Sequence, residues 1–314
     1  MDEVVTASVV VISFNQRLFI ERLATQLLDQ DYAADDYEIV VVECASSDDT
    51  IEWLRSKSDS RLNPLYLTEQ CNRSQGRNQG IRAARGDIII MIDGDHTVSK
   101  NFVSAHVEAH KRGKCAIVGK SDFAPNPNFK AINDYLNNGG AAKFPASTPL
   151  PGRYFLTRNC SVPKQVLLEI GLFDETFDRW GGEDLDLGVR LEQAGIPIYG
   201  DNSSLALHHH FRTIDEVLSI VRLYGEGSVP RLVEKHPQLF RELNLDRLFN
   251  NPYEVNRFGA AERFVNRLLC SAPVFQIVRA YANIKSRSTV PRFVFDYLHL
   301  RQYAAGYRQS QKNK

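Results

Sequence analysis

The first hundred residues alternate short apolar runs with amphipathic stretches. Residues 7–13 form an almost unbroken β-branched run, the pattern of a strand buried on both faces. Over 18–28, Phe19, Leu23 and Leu27 recur with helical spacing. Residues 38–42 predict a second strand, Ser46 to Thr50 a turn and helix cap, and 51–54 the start of a second helix. A short strand at 65–67, a helix at 78–84 closed by Arg85-Gly86, and a fourth strand at 87–92 follow. This succession predicts an α/β fold, a parallel sheet covered by helices. Such sheets bind ligands beyond the carboxyl ends of their strands. Residues 121–152, punctuated by Pro125, Pro127, Gly139-Gly140, Pro145, Pro149 and Pro151, predict an irregular lid or connection. Order resumes near Phe155. A helix over 183–194 stops at Gly195 and Pro197, a strand covers 204–207, and helices over 214–224, 262–269 and 293–307 dominate the rest. The expected organisation is one α/β domain over 1–212, with halves 1–100 and 101–212, and a helical extension over 213–314.

Composition narrows this little. The 314 residues are 43% hydrophobic and 24% charged, an ordinary globular balance. Lys+Arg and Asp+Glu both number 38, which argues against nucleic acid as a partner. Cys44, Cys71, Cys115, Cys160 and Cys270 are odd in number, widely spaced and without a CxxC pair, so free thiols are expected. The acidic start Met1-Asp2-Glu3 is unlike a signal peptide, and nothing approaches the ~18 apolar residues of a membrane span. A cytoplasmic protein is the expectation.

Three segments carry candidate chemistry. Asp93-Gly94-Asp95 follows the fourth strand directly, where two carboxylates can hold a hard divalent cation and a diphosphate. Asp-Gly is also among the commonest turn dipeptides. Trp180-Gly181-Gly182-Glu183-Asp184 places two acids at a helix N-terminus, which favours their ionised forms, as a general base requires. Trp180 offers a flat face for a sugar ring; an acidic cap beside a core tryptophan is the plainer alternative. His208-His209-His210 ends a strand, and alternation sends His209 to one face and its neighbours to the other. One imidazole of the three is expected to serve as a ligand.

The motifs SFNQ (13–16), EIVVVECASSDDT (38–50), GRNQGIRAARGDIIIMIDGD (76–95), RNCSV (158–162) and GLFDETFDRWGGEDLDLGVRL (171–191) occur in the order seen in family 2 glycosyltransferases. Across about residues 5–212 the chain resembles that family, and its WGGED segment is similar to that of β-1,4-galactosyltransferases and chondroitin-type polymerases. The resemblance implies a GT-A fold and an inverting transfer from a nucleoside-diphosphate sugar, expected to be a UDP-sugar, to a saccharide or lipid-linked acceptor. It implies manganese or magnesium on Asp95, with Asp93 nearer the ribose and able to share the metal, and His209 as the late ligand. Asp184 matches the catalytic base, and Trp180, Gly182 and Glu183 the acceptor or sugar contacts. Ser13, Glu43, Arg77 and Asp93 match donor-binding positions. The chain departs from the family at Glu43-Cys44, where Asp-Asp or Asp-Asn is usual, the first being the base-reading acid. Two other readings stay open: a retaining enzyme akin to polypeptide N-acetylgalactosaminyltransferases, and a catalytically silent scaffold.

The last hundred residues lie outside the resemblance. From residue 250 on, eleven basic side chains face three acidic ones, interleaved with Phe264, Leu268, Leu269, Phe275, Phe293, Phe295 and Leu298. They form either a platform for an anionic lipid surface or a cap whose aromatics are core.

Overall fold

The computed structural model describes residues 5–145 and 148–312, so residues 1–4, 313–314 and two positions of the 121–152 stretch fall outside it. The chain divides into two compact units. The first takes the described residues up to 124 together with 137–178 and 183–210. Its strands are β1 (Ala7–Ser13), β2 (Tyr37–Glu43), β3 (Leu62–Tyr66), β4 (Ile88–Asp93), β5 (His96–Val98), β6 (Ala116–Phe123), β7 (Asn159–Pro163) and β8 (Ile198–His208). They form one sheet in the order β3-β2-β1-β4-β7-β6-β8-β5.

The N-terminal four strands run parallel. Helices α1 (Arg17–Leu28), α2 (Thr50–Arg55) and α3 (Arg73–Ala83) connect them. β2 is buried along its whole length, which explains its unbroken apolar run. β3 starts three residues before the expected strand and contains Pro64, tolerable because β3 is the sheet edge. Beyond β4 the mostly parallel sheet takes in antiparallel pairs, although β6 and β8 still run parallel. β7 pairs antiparallel with both β4 and β6, and β5 antiparallel with β8. Helices α4 (Phe102–Ala109), α6 (Lys164–Glu169) and α7 (Glu183–Gln193) complete this unit.

The free-thiol expectation is corrected. Cys44, just past β2, is bonded to Cys71, just before α3, with Cα atoms 5.7 Å apart, while Cys115, Cys160 and Cys270 are free. The linked cysteines lie 27 residues apart in sequence, a pairing no local spacing rule reveals.

The second unit comprises 125–136, 179–182 and 211 onward, and so includes two short segments that were expected in the α/β domain. The supposedly irregular stretch contains α5 (Lys130–Asn137), whose Ala131 and Ile132 are buried. α8 (Ile214–Lys235) opens on a capping box between Thr213 and Glu216. α9 (Leu239–Glu242), α10 (Ala260–Leu269), α11 (Ala272–Ile284) and α12 (Arg292–Lys312) follow. Phe275, Phe295 and Leu298 join Leu218 and Ala131 in the core of this unit, whereas Phe264, Leu268, Leu269 and Phe293 are exposed. The C-terminal aromatics therefore serve both as core and as surface. Among the described residues no helix is long and apolar enough to cross a membrane.

Candidate active site

The site assembles in the first unit at the carboxyl ends of β1 and β4, where a parallel sheet opens onto its ligand side. β4 delivers Asp93, and the chain turns at once through Gly94 and Asp95 into β5. A Cβ at Gly94 would lie 2.7 Å from both Gln16 Oε1 and Ile20 Cδ1, so both side-chain ends would have to shift. β5 pairs antiparallel with β8, putting His96 opposite His208. Asp95 sits between them, one oxygen 3.0 Å from His96 Nδ1 and the other 3.0 Å from His208 Nε2. His210 approaches the same carboxylate at 3.7 Å. His209 is turned away, its Nε2 2.8 Å from the Thr97 hydroxyl. The imidazole beside Asp95 is therefore that of His208 rather than His209. The alternation that closes β8 carries His208 and His210 to the Asp95 face and leaves His209 on the other.

Burial alone would raise the Asp95 carboxyl, but the hydrogen bonds to His208 and His96 hold it well below the usual carboxylate range. Burial pushes His208 down, against the pull of Asp95. Ligand atoms of Asp95, His96 and His208 all lie within 4.8 Å of one another. His208 Nδ1 is buried without a hydrogen-bond partner. One carboxylate with two imidazoles is a donor set that suits a divalent ion, and the nitrogens favour a transition metal over magnesium.

The acid pair is reached through a single guanidinium. Arg77, one turn into α3 and 5% exposed, bonds Asp93 at 3.1 Å and Glu183 at 3.0 Å, and touches Asp184 at 3.5 Å. Burial opposes its charge, but Asp184, Asp93 and Glu183 together more than offset that and bind its proton more tightly. Asp93 and both acids of the WGGED segment thus surround one cation. Asp184 is 22% exposed, and its Oδ1 accepts from the Thr157 hydroxyl at 2.6 Å. Burial, then the neighbouring Glu183 charge, raise its pKa to about 6, against the opposing effects of Arg77 and Thr157. The third acid of this turn, Asp186, is fully buried and paired with Arg190, whose guanidinium also donates to the carbonyls of Ile170 and Leu172. Asp186 is structural; it locks α7 onto the loop before it.

α7 is placed by main chain. A Cβ on Gly188 would overlap the carbonyl oxygen of Gly152, so helix and turn touch backbone to backbone. The α3 side is anchored by Asn78, which donates to the Phe173 carbonyl at 3.0 Å and to Glu175 at 2.8 Å and accepts from Phe173 N–H at 3.0 Å.

The Glycosyl transferase family 2 model matches residues 8–167, about half the chain. The chain belongs to this family and is a glycosyltransferase. An uncharacterized glycosyltransferase of Bacillus subtilis, YfnE, is 26% identical over 84% of this chain and 78% of that protein. The validoxylamine A glucosyltransferase of Streptomyces hygroscopicus subsp. jinggangensis is 28% identical over 75% of this chain and 62% of its own length. Pasteurella multocida chondroitin synthase is 24% identical over 75% of this chain but only 28% of that polymerase. Among solved structures, the mannosyltransferase PcManGT of Pyrobaculum calidifontis, in complex with GDP-Man and Mn2+, superposes with a TM-score of 0.66 at 16% identity, covering 98% of this chain and 87% of that one. At that identity the likeness establishes the fold, which is GT-A.

The family match stops before the acid pair, so the position of Glu183 and Asp184 in this glycosyltransferase rests on the geometry above. At the carboxyl ends of β1, β2 and β3, Ser13, Glu43 and Tyr66 stand in register. Ser13 Oγ, one oxygen of Glu43 and the Tyr66 hydroxyl are buried without partners. The other Glu43 oxygen accepts from Ser46 N–H at 2.6 Å, and Glu43 is fully buried. Trp180 and Gly182 fall in the second unit; Trp180 is 41% exposed, and Gly182 is buried with φ +99°. Sequence reasoning missed Thr157, Asn78, His96 and Arg158. Arg158 is pushed down by burial, with Asp93, Asp122, Asp184 and Asp95 acting on it in the opposite sense. The quoted motifs contain Asn78 and Arg158; only their three-dimensional neighbours disclose a role.

Proposed function

We propose that this glycosyltransferase inverts the anomeric centre as it moves a sugar from a nucleoside-diphosphate donor, a UDP-sugar, to an acceptor hydroxyl. The observation that carries the reading is the Arg77 junction, which gathers Asp93 and Asp184 about one guanidinium. Asp184, with a pKa raised to about 6, is mostly ionised at neutral pH yet basic enough to accept a hydroxyl proton. The acceptor oxygen attacks the anomeric carbon, its proton passes to Asp184, and the bond to the diphosphate oxygen breaks. Asp95 with His208 and His96 would hold a divalent ion, manganese in preference to magnesium, and Asp93 would lie beside it; such an ion supplies charge neutralisation to the diphosphate. Ser13 and Glu43 are proposed for the nucleoside, and Trp180, Gly182 and Glu183 for the acceptor, a saccharide or lipid-linked saccharide.

Nucleotide release measured over UDP- and GDP-sugars, with manganese, magnesium or a chelator, tests this. Release with one or two UDP-sugars is expected, with manganese above magnesium, and Asp95→Ala should lower it by at least about 10²-fold. Release from GDP-sugars alone would overturn the uridine assignment, and full activity in chelator the metal. A product with the donor's own anomeric configuration would establish the retaining reaction instead.

A lipid-linked acceptor accords with the surface of the second unit. Phe264, Leu268, Ile277, Ile284 and Phe293 are all more than half exposed on α10, α11 and α12, beside exposed Lys285 and Arg287. Apolar side chains amid excess positive charge match an anionic lipid surface. Vesicles of phosphatidylcholine with phosphatidylglycerol should sediment the protein, and about 0.5 M salt should release it. Phe264→Ser with Ile277→Ser and Ile284→Ser should abolish sedimentation. Equal binding to uncharged vesicles, or a dimer that the triple variant splits, would overturn the proposal.

A further inference from the structure

We infer that Thr157 is a positioning residue for the transfer step, anchoring one carboxylate oxygen of Asp184 so that the other is presented to the acceptor hydroxyl. This rests on Asp184 being the base. Thr157 is fully buried immediately before β7, and it carries no charge of its own. Its hydroxyl donates to Oδ1 of Asp184 at 2.6 Å, and Arg77 reaches the same oxygen at 3.5 Å. Oδ2 accepts from the Thr157 main-chain N–H at 3.3 Å, a long contact. The two oxygens are therefore unequal, with the short bond on Oδ1 and the more basic lone pairs on Oδ2.

The terminal torsion of an aspartate is soft and roughly two-fold, so a carboxylate held only by a guanidinium at 3.5 Å is free to rotate its plane. Thr157 grips the same carboxylate twice, by hydroxyl and by N–H, and removes that freedom. A transfer that needs the acceptor proton within hydrogen-bond reach of one particular oxygen loses rate when the plane turns. The hydroxyl has a second effect, since donating to the ionised form keeps the base from rising further. The charged and titratable groups acting on Asp184 are Arg77 from α3, Asp93 from β4, Arg158 and Cys160 at β7, and Glu183 on its own helix. Thr157→Val alters none of them.

Nucleotide release followed from about pH 5 to 9 in wild type, Thr157→Val, Thr157→Ser and Asp184→Asn tests the proposal. Valine preserves the shape and removes the donor. Thr157→Val should lower kcat roughly 10–100-fold with the donor KM unchanged. The acid limb of its profile should move upward by about one pH unit. Thr157→Ser should restore both rate and profile, which a packing role would not predict. If Thr157→Val does not fold, Thr157→Ala is read in the same way. A wild-type kcat and pH profile in the variant lacking the hydroxyl, with Asp184→Asn inactive, would overturn the positioning role alone. Full activity of Asp184→Asn would overturn the base itself.

Discussion

Asp184→Asn is expected to lower kcat by about 10²–10⁴-fold while leaving the protein folded and, above pH 6, more stable than wild type. The two effects share one cause. Burial and the Glu183 charge raise the Asp184 pKa to about 6, so the folded protein holds this proton more tightly than the unfolded chain does. The stability this contributes is full below about pH 4 and is lost as pH rises through about 6. At pH 8 the ionised carboxylate is a liability that asparagine removes, by roughly 1–2 kcal/mol once its 22% exposure and the loss of the Arg77 contact are allowed for. Thr157 can still donate to the asparagine oxygen. Thermal denaturation at pH 5 and pH 8 should show the variant's advantage at the higher pH and its contraction at the lower. The wild-type kcat/KM should fall tenfold per unit below about pH 6. A stable variant with wild-type turnover would remove Asp184 from the chemistry.

Arg77→Met is expected to be the most destabilising single change in the first unit. Removing the cation leaves Asp93, Asp184 and the 4% exposed Glu183 facing one another without their shared partner. Breaking a buried pair in this way costs about 3–5 kcal/mol. For a unit of this size that is on the order of 10 °C in Tm. The deficit should shrink toward pH 5 as Asp184, raised to about 6, takes up its proton, which separates it from a packing defect. Arg77→Lys should recover only part, since an ammonium cannot span three carboxylates as the planar fork does. An Arg77→Met protein as stable as wild type at pH 8 would mean the junction is solvated rather than structural.

Much of the fold was legible because the central strands are buried on both faces. β1, β2 and β4 declare themselves as apolar runs, and the acids that end β2 and β4, Glu43 and Asp93, lie where a parallel sheet opens. The antiparallel insertion of β7 was not, for its five residues NCSVP have no pattern that tells a neighbour's direction. α5 was hidden among prolines and asparagines whose turn signals outweigh eight residues of weak periodicity. Alternation already separates His208 from His209, but which of the two faces meets Asp95 is set by the pairing of β5 with β8. Arg77 was placed near the donor, but its partners Glu183 and Asp184 lie 106 and 107 residues away, beyond any local rule. The Cys44–Cys71 link escaped for the same reason.

That long reach has a consequence for synthesis. Arg77 and Asp93 are 16 residues apart and leave the ribosome almost together, so the cation has a partner early. Glu183 and Asp184 emerge some ninety residues later, between the backbone contact at Gly152 and its counterpart at Gly188. A nascent chain that stops short of α7 has Arg77 and Asp93 but neither Glu183 nor Asp184 to complete the junction. The junction closes only when α7 brings Glu183 and Asp184 to the guanidinium.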